Sequence, residues 1–211
     1  MIRNLMTTLS LGALAAAAPL GAQSGFGIVG GLVSANVSQS PQAAGVTYNS
    51  RTGFAAGISL TAELAKGISI GPEALYAQKG SNIASSVGTL YTGFAKATYV
   101  EVPLLLRIGL GSGATHFFVI GGPEVSFNLN CRTEVIGLIT EMDCNDPADP
   151  KSGVKSTDYG VMFGAGVAMG RLSISVRYDL GLANISRDNT AGAAVVKNKA
   201  IFAMIGLSLG K

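Results

Sequence analysis

The stretch Arg171-Leu172-Ser173-Ile174-Ser175-Val176-Arg177-Tyr178-Asp179-Leu180-Gly181-Leu182 alternates along its whole length. Leu172, Ile174, Val176, Tyr178, Leu180 and Leu182 occupy every second position, and Arg171, Ser173, Ser175, Arg177, Asp179 and Gly181 fill the others. Successive strand side chains point to opposite faces, so this segment reads as a β-strand with one apolar and one polar side. Thr98 to Leu110 repeats the pattern. Val100, Val102, Leu104, Leu106, Ile108 and Leu110 share a face opposite Glu101, Arg107 and Gly109, and Pro103 and Leu105 blur the polar side. A helix would scatter Glu101 and Arg107 over unrelated faces, and its interior would not accept Pro103.

Outward from these two segments the same rhythm predicts eight strands, at 25–38, 51–64, 68–79, 94–110, 115–129, 158–169, 171–185 and 198–210. The connections alternate in length. Ala65-Lys66-Gly67, Gly111-Ser112-Gly113-Ala114 and the turn near Gly170 are short, whereas 39–50, 80–93, 130–157 and 186–197 are long. Alternate connections of an up-and-down barrel lie at the same end, so one end carries tight turns and the other four loops. That is the layout of bacterial outer-membrane barrels.

Composition agrees. Of 211 residues 13% are charged, about half the share usual in soluble domains, while mean hydropathy is +0.41. The net charge of +3 is too small to argue for nucleic acid, and no basic run or basic helix face is present. Residues 1–22 read as a secretory leader: Arg3 is the positive start, Leu9 to Ala18 the apolar stretch, and Leu20-Gly21-Ala22 the cleavage region. A membrane anchor is the alternative, but the stretch is short for a span. A lipoprotein anchor lacks its cysteine. Residues 23–211 then form one barrel domain. After the leader no apolar run is long enough for a transmembrane helix. The apolar residues therefore fill a secreted fold or face lipid outside a barrel.

A soluble, lipocalin-like barrel would put the apolar residues in the lumen and charges outside. The polar face here is mostly Gly, Ser and Ala with a few Glu and Arg, too sparsely charged for a wetted surface. The other face is nearly pure Leu, Ile, Val, Phe and Tyr, as lipid requires. Phe54, Tyr76, Phe94, Phe127 and Tyr159 fall near the long-loop ends of their strands as one interfacial girdle, with Phe26 and Phe117 at the turn end.

Several motifs resemble the PorT-like outer-membrane β-barrel domain family across the mature chain. They are Gly71-Pro72-Glu73-Ala74-Leu75-Tyr76 with Gln78-Lys79-Gly80, Tyr99 to Arg107, Gly122-Pro123-Glu124-Val125-Ser126-Phe127, Asp158-Tyr159-Gly160 with Gly164-Ala165-Gly166, and Arg177 to Leu182. The resemblance implies an outer-membrane barrel, with outer-membrane lipids and the barrel-assembly machinery as partners. The namesake's link to protein secretion is not carried over. The chain ends Leu207-Ser208-Leu209-Gly210-Lys211, without the terminal aromatic that many such barrels offer to that machinery.

Candidate chemistry is sparse. His116, the single histidine, lies at the turn end, whereas a lipid-modifying enzyme would need its histidine near the outer leaflet. Cys131 and Cys144 share the 130–157 loop in an oxidising compartment and read as a disulfide, with two free thiols as the alternative. Asp143, Asp146 and Asp149 in that loop lack an EF-hand's glycine and distal glutamate, so a solvated acidic loop is expected rather than a Ca²⁺ site. No cofactor, metal or catalytic group is expected. Parity places Glu73, Glu101, Arg107, Glu124, Arg177 and Asp179 in the lumen. The expected contacts are Glu73 with Arg107, and Arg177 among Glu101, Glu124 and Asp179; four acids against two arginines leave excess negative charge, so either one carboxyl is protonated or lumen water and Lys79 share the load. The reading is a non-enzymatic integral outer-membrane protein with a structural or surface-interaction role through its loops. A secretion accessory and a small lipid-modifying enzyme are the alternatives.

Overall fold

The computed structural model describes residues 24–85, 91–111, 113–135, 141–145 and 148–210. The expected leader and Asp146 lie outside the described residues. Among the described residues nine strands follow in order: β1 (Ser24–Ser40), β2 (Val46–Ala65), β3 (Ile68–Ser85), β4 (Tyr91–Leu110), β5 (Thr115–Val135), β6 (Glu141–Asp143), β7 (Thr157–Met169), β8 (Leu172–Gly181) and β9 (Val195–Ser208). Eight of them pair antiparallel with their neighbours in chain order, and β1 pairs with β9 from Gly27↔Ser208 to Ser40↔Val195. That pairing closes an eight-stranded up-and-down ring. The short β6 lies outside it, paired to the loop end of β5 through Arg132↔Asp143, Thr133↔Met142 and Glu134↔Glu141.

Each expected strand is present, with corrected ends. β2 begins earlier than 51, β3 runs beyond 79 and β5 beyond 129, all at the loop end. The apolar alternation that marks a strand in lipid fades there, but the backbone hydrogen bonds continue. β8 stops at Gly181 rather than 185, because Asn184 turns the chain. Its side-chain oxygen accepts from the Ser186 and Val196 amides.

The faces follow the pleat. Leu172, Ile174, Val176, Leu180 and Leu182 are exposed on the outer wall, while Ser175, Arg177 and Asp179 are buried inside. Phe26, Phe54, Tyr76, Phe117, Phe127 and Tyr159 are exposed outward, and Phe54 meets Tyr76 at 5.9 Å between ring centroids. The inner face departs from the expected mixture of small residues and charges. Val33, Leu75, Phe118, Met162, Phe202 and Met204 are buried there and form a continuous apolar packing. Small residues on neighbouring strands make room for them, as interiors of narrow barrels demand.

The two Gly-Pro-Glu motifs have a shared geometry. The β2–β3 register runs Ser59↔Glu73 and resumes at Ala62↔Ile70, leaving Gly71 and Pro72 without partners on β2. A Cβ on Gly71 would strike the Leu60 carbonyl, and one on Gly122 the Leu104 carbonyl. Proline offers no amide donor, and glycine lets the adjacent backbone close in. Each motif thus lets the neighbouring strand close in, while the unbroken alternation keeps its glutamate facing the lumen.

Above the loop end, Cys131 and Cys144 are joined in a disulfide, with Cα atoms 5.3 Å apart. The segment after it is tied to the β8–β9 loop. Val154 bridges Ser186, Arg187 Nε donates to the Val154 carbonyl at 3.0 Å, and Lys155 Nζ donates to the Asn184 carbonyl at 2.9 Å.

Two expectations follow from this architecture. Val176→Arg places a charge on the outer wall of β8 and should cost about 2–4 kcal/mol in urea unfolding from lipid vesicles, whereas Ser38→Lys near the loop-end rim should cost about 0–1 kcal/mol; equal effects would contradict a lipid-facing outer wall. Protein isolated from cells should resist thiol labelling until reduced, and reduction should raise protease cleavage in 136–156 while leaving the gel shift of the barrel unchanged. Labelling of both cysteines without reductant would rule out the bond.

Candidate functional site

The lumen is occupied by two ion clusters at different heights. In the upper one the Lys79 ammonium, buried on β3, pairs with Asp179 of β8 and lies 2.5 Å from Glu101 Oε1 and 3.8 Å from Glu124 Oε1. Ser126 Oγ donates to Glu124 Oε1 at 2.7 Å. The rings of Tyr99 and Phe202 enclose the ammonium at 5.6 and 5.7 Å. Beside it, Asn198 Nδ2 donates to Asp158 Oδ2 at 2.8 Å and to the Tyr99 hydroxyl at 3.2 Å.

In the lower cluster Arg177 makes a two-pronged contact with Glu73, at 2.5 Å and 3.2 Å, and its Nε donates to Ser175 Oγ at 3.2 Å. A fork-to-fork guanidinium–carboxylate pair is the stronger form of such a bond. Arg107 shares the turn-end cavity with this pair but stacks on an aromatic ring instead of joining it, its guanidinium carbon 3.6 Å from the centre of the Phe118 ring.

The structure places all six expected lumen residues inside but corrects their partners. Glu73 meets Arg177, not Arg107, and the cation among Glu101, Glu124 and Asp179 is Lys79, not Arg177. The reason is geometric. β3 and β4 are adjacent, but the register pairs Ser69 with Arg107 and Pro72 with Leu104. Glu73 and Arg107 are therefore about four residues, or roughly 13 Å, out of step along the strands. β3 and β8 stand four strands apart in either direction round the ring. Across so narrow a lumen, long side chains on opposite walls meet. β3 supplies an acid and a base, Glu73 and Lys79, and β8 the complements, Arg177 and Asp179.

Glu101, Glu124 and Asp179 bring carboxylate oxygens within 4.8 Å of one another, a spacing that suits a cation, and the Lys79 ammonium sits among them. Acid still exceeds base. Glu101 Oε2, Glu124 Oε2 and Asp158 Oδ1 are buried without a hydrogen-bond partner among the described residues. Lys79 was legible as a lumen residue, but its place at the hub depends on β3 continuing past 79 and on the opposite wall. His116 lies at the turn end with Nδ1 3.2 Å from the Gly113 carbonyl oxygen. In the loop, Asp143 accepts from the Asn145 amide and Asp149 from the Lys151 amide, so both carboxylates cap local turns rather than converge.

Removing Lys79 strands its carboxylates in a closed lumen. Lys79→Met should lower stability by about 3–5 kcal/mol in urea unfolding, and adding Glu101→Gln and Asp179→Asn should recover most of the loss. A Lys79→Met barrel as stable as the original would show that Lys79 is not the hub.

The architecture has known counterparts. The chain is similar to the outer membrane protein OprG of Pseudomonas aeruginosa, with 14% identity over 89% of this chain and 97% of that one and a TM-score of 0.52. It is also similar to Ail, the attachment invasion locus protein of Yersinia pestis (11% identity, 88% and 99% covered, TM-score 0.41), and to Neisserial surface protein A (12%, 86% and 96%, TM-score 0.44). At such identities the OprG likeness shows a shared fold and nothing finer. No curated protein matches the sequence. The model of the outer membrane protein beta-barrel domain matches residues 19–187, and with the closed ring and its apolar outer wall this shows that the chain belongs to the outer-membrane β-barrel domain family and resides in the outer membrane.

Proposed function

We propose that the protein is a non-enzymatic component of the outer membrane, with a plugged barrel as its anchor and the loop end as its interaction surface. The observation that carries this reading is the pair of wall-to-wall ion contacts, Glu73–Arg177 and Lys79–Asp179, set among Phe202, Met204 and Met162. A lumen bolted across its width supports a rigid support rather than a pore. The loop end supports the second half of the reading. Residues 148–156 and 182–194 are joined through Val154, Ser186 and Arg187, and Cys144 is fastened to β5 by the disulfide. A surface held in one shape binds a partner without first paying for its ordering.

His116 favours the same conclusion. Short turns of bacterial barrels face the periplasm, so its ring stands at the end away from outer-leaflet lipid. Within the family, the motifs from Gly71 to Tyr76 and from Tyr99 to Arg107 support a PorT-like assignment.

Purified protein in planar bilayers should show no large, steady conductance over a range of voltages. The triple substitution Glu73→Ala, Arg177→Ala, Lys79→Ala should raise the frequency of brief openings. A stable, large conductance from the unaltered protein would contradict the plugged lumen.

A further inference from the structure

We infer that the loop-end rim of the outer wall, from β9 through β1, β2 and β3 to β4, binds the phosphate groups of anionic outer-leaflet lipids. This sector's acidic residues are few and lie elsewhere. Between Ser24 and Val100 the acids are Glu63, next to the β2–β3 turn, and Glu73, inside the lumen; Val195 to Gly210 contains none. Its basic residues at the loop end are Arg51, Lys79, Lys96, Lys197 and Lys199. Lys79 is in the lumen, and the other four point outward.

Their orientation follows from their neighbours. Ala95, Ala97, Val196 and Asn198 line the cavity of about 570 Å³ in the barrel mouth, so Lys96, Lys197 and Lys199, which alternate with them, lie on the outer wall. Arg51 lies at a break in the β2–β3 register, which runs from Ser50 to Ala55, so its face is read from its contact rather than from alternation. The Arg51 guanidinium lies 4.8 Å from the centre of the Phe94 ring, which is two residues nearer the loop end than Lys96 on the same outer face, so Arg51 reaches the outer wall. Phe54 and Tyr76 stack on the outer wall nearby.

This combination marks a boundary between hydrocarbon and headgroups. Aromatic side chains settle at that level, and Lys and Arg lay their stems along apolar surface with the charge in the polar layer. A cation there attracts an anionic headgroup. Beyond β4 the outer wall carries both signs, since Arg132 and Glu134 of β5 stand in register with Lys96 and Phe94 of β4. The positive charge is therefore an arc over five contiguous strands rather than a property of the whole rim. The occupant is a lipid phosphate rather than a free anion, because the four groups are spread over three strands of an open wall instead of converging on one point.

The test is spin-label partitioning. The folded barrel is placed in phosphatidylcholine vesicles carrying trace spin-labelled phosphatidylglycerol or phosphatidylcholine, and the motionally restricted fraction of each is measured. The unaltered protein should prefer the anionic lipid by about fivefold. The combined variant Arg51→Gln, Lys96→Gln, Lys197→Gln, Lys199→Gln should lose that preference, and the turn-end variant Lys66→Gln, Arg171→Gln should keep it. Should the combined variant fail the gel-shift test for folding, the pairs Arg51→Gln/Lys96→Gln and Lys197→Gln/Lys199→Gln should each lose part of the preference. An undiminished preference in the folded variants would overturn the inference. So would displacement of the anionic lipid by inorganic phosphate beyond that caused by chloride at equal ionic strength, which would point to a free-anion site.

Discussion

Hydrocarbon offers no partner to a peptide amide or carbonyl, and the structure depends on that constraint. A sheet in lipid must close, because each unpaired backbone group at an edge costs several kcal/mol. Here closure is made by β1 against β9, along Gly27↔Ser208 to Ser40↔Val195. Once the ring is closed, the pleat sends alternate residues to two solvents. Leu, Ile, Val and Phe take the lipid side, and everything charged within the hydrocarbon depth is forced inward. The middle of the lumen, between cavities of about 600 and 570 Å³ at its two ends, is filled by side chains as in other narrow barrels, so the charges buried there are satisfied by one another.

That second requirement explains the wall-to-wall pairing. Glu73 and Lys79 on one wall meet Arg177 and Asp179 on the opposite one. Replacing a buried ion pair with apolar groups is often neutral, whereas breaking one is costly, so the arrangement is an argument for specificity of closure more than for raw stability. The apolar side chains around it, Phe202 and Met204 above all, exclude water and strengthen each contact. The Gly-Pro-Glu motifs connect wall and lumen. They interrupt the backbone pairing where Gly71 and Gly122 let strands approach, next to Glu73 and Glu124 on the inner face.

The eight long strands and their faces were legible in the sequence because lipid imposes a strict period of two, as Arg171 to Leu182 displays. The alternation of short and long connections carried the topology. What was not legible depends on the third dimension. Glu73 and Arg107 lie on neighbouring strands, but register and stagger separate them, and no one-dimensional count from the turns reveals that β3 faces β8. The loop-end extensions of β2, β3 and β5 were missed because both of their faces meet polar surroundings and the alternation weakens. β6 has only three residues, Glu141 to Asp143, too few for a periodic signal. Phe202 and Met204 were not expected inside because a lumen was taken to be polar. The residues facing it are partly apolar, since packing rather than polarity fills so small a space.

Which wall meets lipid is the claim on which the rest stands, and the chain contains no tryptophan, so a single introduced one reports without background. Tryptophan placed in turn at Ile174, Val176 and Leu180, in vesicles of lipids brominated at different acyl depths, should be quenched strongly. The depth of greatest quenching should move toward one surface from Val176 to Leu180 and toward the other from Val176 to Ile174. Tryptophan at these positions that is insensitive to brominated chains and accessible to aqueous quencher would place the apolar wall out of the membrane and contradict the account.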